Sequence, residues 1–238
     1  WILYSDDNDG WIISNLACYD IAGDKTPWVH CPKDSAGFDL PNNPATAAIT
    51  DQDRFRGIMS GTLWPYVKDV DAYHCPGDNR RKRRPPPRDC WRSYSISYAF
   101  GHRAGRYANP GYDYYKKMQD LRDGGLYYVF VEEEHNGSRY GENEGGWHLP
   151  FTGGNNRIAN PNTWTFYDPL ASYHNKSSTF SFADGHADRR IWKDKRTLDF
   201  IIKNVDDPSS HSGITLPSPN NEDIHWLLQH FIQKNRVN

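Results

Sequence analysis

At 238 residues and a net charge of −2, the chain fits a single domain (1–238) with a real core and has no overall electrostatic claim on nucleic acid. Nine Trp, 15 Tyr and 10 Phe against 2 Met, at a mean hydropathy of −0.88, point to a loop-rich β or α+β domain. No signal peptide or membrane-spanning stretch is visible, and the sequence carries no Walker loop, dinucleotide glycine motif, Gly-x-Ser-x-Gly elbow or His-Glu-x-x-His pair.

Trp1-Ile2-Leu3-Tyr4 followed by Ser5-Asp6-Asp7-Asn8-Asp9-Gly10 reads as the last turn of a helix running into a glycine stop. The Asp cluster is not an EF-hand: with Gly10 at the obligatory glycine, Leu16 falls where the bidentate Glu belongs. Residues 14–48 are loop-like, with Pro27, Pro32, Pro41 and Pro44; residues 49–68 predict short helical turns broken near Gly61 and Pro65. The four cysteines form two local pairs by position, Cys18 with Cys31 and Cys75 with Cys90. Neither pair has C-x-x-C spacing, which argues against zinc. As disulfides, each would contribute about 3 kcal/mol on the chain-entropy model, and both would favour a secreted setting.

Arg80, Arg81, Lys82, Arg83, Arg84 and Arg88 precede or flank Pro85-Pro86-Pro87. The run reads either as a solvated loop or as an anion-binding loop whose guanidinium forks suit carboxylate and sulfate. Alternation of Tyr94, Ile96, Tyr98 and Phe100 predicts a strand over 93–100, and a short helix over 114–121 ends by Gly124. Residues 126–132 read as a buried strand running into Glu132-Glu133-Glu134-His135, an acid/base or metal site or else a solvated strand end. A Gly-rich loop then leads to Trp147-His148, and residues 164–167 suggest a short strand. Asp184-Gly185 between alternating segments predicts a hairpin on a type I′ turn, with Phe182 facing Ala187, Ser181 facing Asp188 and Phe180 facing Arg189. A linker around Asp206-Asp207-Pro208 follows. Last, Ile224, Leu227, Leu228, Phe231 and Ile232 mark a terminal helix capped by Asn220 or Asn221.

His174, nine residues, then Asp184-Gly185 within Phe182-Ala183-Asp184-Gly185-His186-Ala187 resembles a signature of pseudopilin-like proteins, relatives of type II secretion and type IV pilin subunits of planctomycete and verrucomicrobial-type bacteria. Tyr4 through Gly10 is similar to the helix end of that family, and Leu63-Trp64-Pro65-Tyr66 followed by Cys75-Pro76 is a further match. The resemblance implies an α+β, pilin-like fold: an N-terminal helix end packed on an antiparallel sheet with long disulfide-stapled loops, joined by the terminal helix read above. It implies a secreted or cell-surface bacterial fibre subunit, with pilin-like subunits as partners and a membrane contact only through a hydrophobic helix before Trp1. That helix's absence reads as a trimmed soluble or mature fragment. The resemblance requires no cofactor and leaves room for a loop calcium, as in some pseudopilins.

Two functions follow. One is a non-enzymatic domain that assembles or binds polysaccharide, with Arg80, Arg81, Lys82, Arg83, Arg84 and Trp147 as binding candidates. The other is a lyase that cleaves acidic, uronate-containing polysaccharide by β-elimination, with Arg103 or the basic run neutralising the carboxylate. His and Tyr would supply base and acid without metal. Its candidates are His102, Arg103, Tyr98, His135, His148 and His174. A hydrolase would need paired carboxylates, which only Glu132, Glu133, Glu134 and Asp184 could supply.

Overall fold

The computed structural model describes residues 1–15, 27–40, 49–83, 89–100, 115–135, 142–143, 145–149, 160–206 and 216–231. Helix α1 (Ile2–Asp7) stops as its sequence predicts: the Gly10 amide donates to the Ser5 carbonyl at 2.8 Å, and Gly10 takes φ +77°. Helix α2 (Asp51–Met59) begins with a full capping box, in which the Thr50 side chain accepts from the Asp53 amide and the Asp53 carboxylate accepts from the Thr50 amide. Pro65 sits in the first turn of the short α3 (Trp64–Val67), so it starts that helix instead of breaking it. The basic run forms one helical turn, α4 (Arg80–Arg83).

Five strands make the central sheet: β1 (Tyr94–Ser97), β2 (Tyr128–Glu132), β3 (Gly146–Trp147), β5 (Ser177–Phe182) and β6 (Ala187–Ile191), in the order β3-β1-β2-β5-β6. All neighbours are antiparallel except β1 and β3, which run parallel, so the sheet is mixed and not the wholly antiparallel one expected. Strand β4 (Thr165–Phe166) pairs separately with β7 (Leu216–Pro217). Because side chains alternate across a strand, the pairs Val131–Phe180 and Phe130–Ser181 fall on opposite faces.

Helix α6 (Glu222–Gln229) buries Ile224, Leu227 and Leu228, and Trp226 meets Phe180 edge-to-face at 5.1 Å. The Asn221 side chain caps it by accepting from the Asp223 and Ile224 amides, while Asn220 takes a positive φ. Phe130, on the other face, packs its ring against Trp28 at 5.3 Å. Most of the large buried side chains are aromatic (Trp28, Trp147, Tyr128, Phe100, Phe166, Phe180 and Phe200 among them), so these rings serve the core. Each such burial contributes about 1.5–3 kcal/mol.

Three further expectations are corrected. The β5–β6 register is shifted by one: Ser181 pairs with Ala187 and Phe180 with Asp188. Only Gly185 takes a positive φ, at +95°, which defines a three-residue loop with a glycine bulge; the Asp184 carboxylate accepts from the His186 amide and holds the preceding turn. The described part of the predicted 114–121 helix is two bridges, at Tyr115 and Lys117, and a single 3₁₀ turn, Met118–Asp120. Helix α5 (Lys195–Asp206), which the sequence reading did not assign, runs up to the expected linker at Asp206 and stacks Phe200 on Phe166 at 4.6 Å. Finally, no disulfide joins the described cysteines: the Cys75 thiol turns to His174 and the Cys90 thiol to the His135 carbonyl. Cys18 lies outside the described residues.

Candidate functional site

Strand β2 delivers Glu132, Glu133 and Glu134 into the protein, each at most 2% exposed, so this strand end is not solvated. Burying three consecutive carboxylates requires a partner for each. Glu133 accepts from the Ser95 hydroxyl, and Glu134 receives Arg83 Nη2 at 2.9 Å. Glu132 uses both oxygens: Oε2 accepts from the Thr179 amide at 2.8 Å and the Ser178 hydroxyl at 3.1 Å, and Oε1 lies 2.9 Å from His174 Nε2. The same Nε2 lies 3.2 Å from Cys75 Sγ. Among the described residues, Cys75, Glu132 and His174 are the group whose donor atoms converge closely enough to hold a metal ion.

This triad is not an activated nucleophile. A thiol, a base and an orienting carboxylate work in series through the two opposite nitrogens of the imidazole, whereas here both partners meet one nitrogen. Burial, with Glu132 beside it, also pushes the Cys75 thiol up to about 12.

The basic run faces inward. Arg80 is fully buried; its Nε and Nη2 donate to Asp78, Nη2 also to the Arg92 carbonyl at 2.8 Å, and Nη1 to the His135 carbonyl at 2.7 Å. Burial alone would raise the Asp78 carboxyl, but the Arg80 guanidinium outweighs it and holds Asp78 below the usual carboxylate range. Arg81 binds Asp51 at 2.7 and 2.8 Å, and Arg54 joins Asp51 to Asp89. These forks therefore satisfy the protein's own carboxylates, and Lys82 and Arg83 are the exposed members of the described run. Arg84 lies outside the described residues.

The remaining candidates separate. Tyr98 and His148 come together edge-to-face at 5.4 Å, with Tyr167 on His148 at 5.6 Å, and burial lowers the His148 imidazole to about 4. His135 is buried beside Arg80, and Trp147 is fully buried against Tyr128 at 6.0 Å. His102 and Arg103 lie outside the described residues.

An open groove of about 310 Å³ crosses the Phe130 face of the sheet. Leu63, Val67 and Tyr73 wall it, while Tyr94, Phe130 and Thr179 line it from the sheet. The Tyr94 hydroxyl reaches the Cys75 sulfur, so the groove and the Cys75–Glu132–His174 cluster adjoin. Spacing rules do not find this cluster, because its residues lie 99 and 42 positions apart. The signals present were Cys75-Pro76 and His174 as separate motifs.

No family model matches the chain, and neither the curated proteins nor the solved structures include a match to it.

Proposed function

We propose that this chain acts by binding, as an extracellular pseudopilin-like domain whose sheet groove takes polysaccharide. The groove carries the reading. Its volume of about 310 Å³ lies at the low end of ligand pockets, about 300–1,000 Å³. Aromatic rings of Tyr73, Tyr94 and Phe130 line it beside the polar residues Thr179 and Ser181. Sugar rings carry C–H faces for aromatic contact and hydroxyl edges for hydrogen bonds, which is the chemistry these side chains offer. The α+β architecture, with α1 ending on a Gly10 stop, agrees with the pilin-like expectation. On the same reading, pilin-like subunits are the second class of partner.

The test is calorimetric titration with hyaluronan, chondroitin, heparin-like chains, alginate and pectin. Ala187→Trp fills the groove from the exposed strand β6 and is expected to weaken saturable binding at least ~10-fold. Equal affinity in parent and variant, or no heat with any chain, sinks the proposal.

The Tyr98–His148 pair favours a second reading, a lyase. The base would take the proton α to the uronate carboxylate, and the acid would protonate the departing glycosidic oxygen, leaving a carbon–carbon double bond. A rise in ultraviolet absorbance from unsaturated product, abolished in His148→Ala and in Arg103→Ala, would replace the binding-only reading.

A further inference from the structure

We propose that Cys75, Glu132 and His174 form a site for a thiophilic divalent ion, zinc first, independently of what the groove binds. Their three donor atoms lie within 4.8 Å of one another. A zinc ion with ordinary bond lengths sets tetrahedral S, N and O ligands about 3.4–3.6 Å apart. The observed separations, 3.2 Å from Sγ to Nε2 and 2.9 Å from Nε2 to Oε1, need to open by only about 0.4–0.5 Å. One imidazole nitrogen facing both a thiol and a carboxylate is a poor hydrogen-bonding arrangement, because its single proton or lone pair serves one partner well. It is a natural arrangement around a cation, where all three donors address one point.

The surrounding groups fix the ligands. Thr179 and Ser178 hold Glu132 Oε2, which leaves Oε1 directed at the cluster. The Cys75 amide donates to the Ser93 hydroxyl at 3.0 Å, and that hydroxyl donates to Asp78 at 2.7 Å. Gly77 lets the imidazole seat, since a Cβ there would stand 3.2 Å from His174 Cε1. Charge also balances: a thiolate and a carboxylate, 1% and 0% exposed, neutralise a divalent ion, and the thiol proton leaves as the ion enters. The donor set is wrong for calcium, which takes six to eight oxygens, and suits zinc. The His174 side chain is 32% exposed, so one of the three ligands is open to solvent while the other two are buried.

The experiment strips the protein with a chelator, desalts it, and adds cobalt(II) and then zinc. The expected result is stoichiometric metal by elemental analysis and a thiolate-to-cobalt charge-transfer band that zinc abolishes. Cys75→Ala should lose the band, and His174→Ala, at a partly exposed position, should bind at least ~10-fold more weakly while keeping the parent's near-ultraviolet circular dichroism. No retained metal, or a band that persists in Cys75→Ala, overturns the proposal. Since this readout needs no sugar, its failure leaves the groove proposal untouched.

Discussion

Truncating Arg80 to Ala removes the partner of a carboxylate that has no water to turn to. The Asp78 and Arg80 side chains are both 0% exposed, and the truncation also takes one donor from each of the His135 and Arg92 carbonyls. Deleting one member of such a buried pair costs about 3–5 kcal/mol. For a chain of this length each kcal/mol lowers Tm by roughly 2–4 °C, giving a fall of about 6–20 °C. The exposed Lys82 provides the contrast, with Lys82→Ala expected within about 0.5 kcal/mol of the parent. Urea unfolding followed by circular dichroism measures both. Should Arg80→Ala fail to fold, the double variant Asp78→Asn, Arg80→Met removes both charges and is expected to recover most of the loss. If Arg80→Ala and Lys82→Ala cost the same within about 1 kcal/mol, the inward assignment of the basic run is wrong.

His148 gives a pH dependence. Its folded value, about 4, lies below the ordinary 6.5, so the unfolded chain takes up the proton first, and up to about 3 kcal/mol is lost as pH falls from 6.5 towards 4. His148→Phe should flatten stability over that window; an unchanged profile refutes it. The Asp78 pair acts lower: its contribution is present above the unfolded carboxylate value and fades as pH falls through the depressed folded value, an acid limb that Asp78→Asn should remove. Asp223→Ala frees the amides of Lys193 and Asp194 and the Thr197 hydroxyl, all now bound to this buried carboxylate, and should cost about 3 kcal/mol in urea unfolding. Gly61→Ala places a Cβ 2.1 Å from the Trp28 carbonyl, a backbone contact that cannot swing aside, and should cost about 1–3 kcal/mol or more in the same assay.

What the sequence made legible was local. Alternation marked β1 and the β5–β6 hairpin, an apolar β-prone run marked β2, and apolar positions at helical spacing behind Asn221 marked α6. The hairpin register slipped by one because Asp184 satisfies the His186 amide with its own carboxylate, which selects a bulged three-residue loop over a two-residue turn. Helix α5 carries a signal of the same kind, with Leu198, Ile201, Ile202 and Val205 at helical spacing, Asp194 capping it through the Arg196 amide and Phe200 anchoring it. The site was less legible. A run of arginines reads as a surface until the carboxylates it meets, at positions 51, 78, 89 and 134, are placed beside it by folding. Cysteines close in sequence read as a pair until one thiol turns to a histidine 99 positions away.

The sheet order bears on how copies of this chain could meet. One edge is the two-residue strand β3, too short to template a neighbour. The other is β6, which carries Asp188, Arg189 and Arg190 in succession along its length. Short, charged edges are the devices by which proteins refuse an added strand. Intermolecular β-augmentation is therefore disfavoured at both ends of this sheet, and contact between copies is directed to surfaces other than its edges.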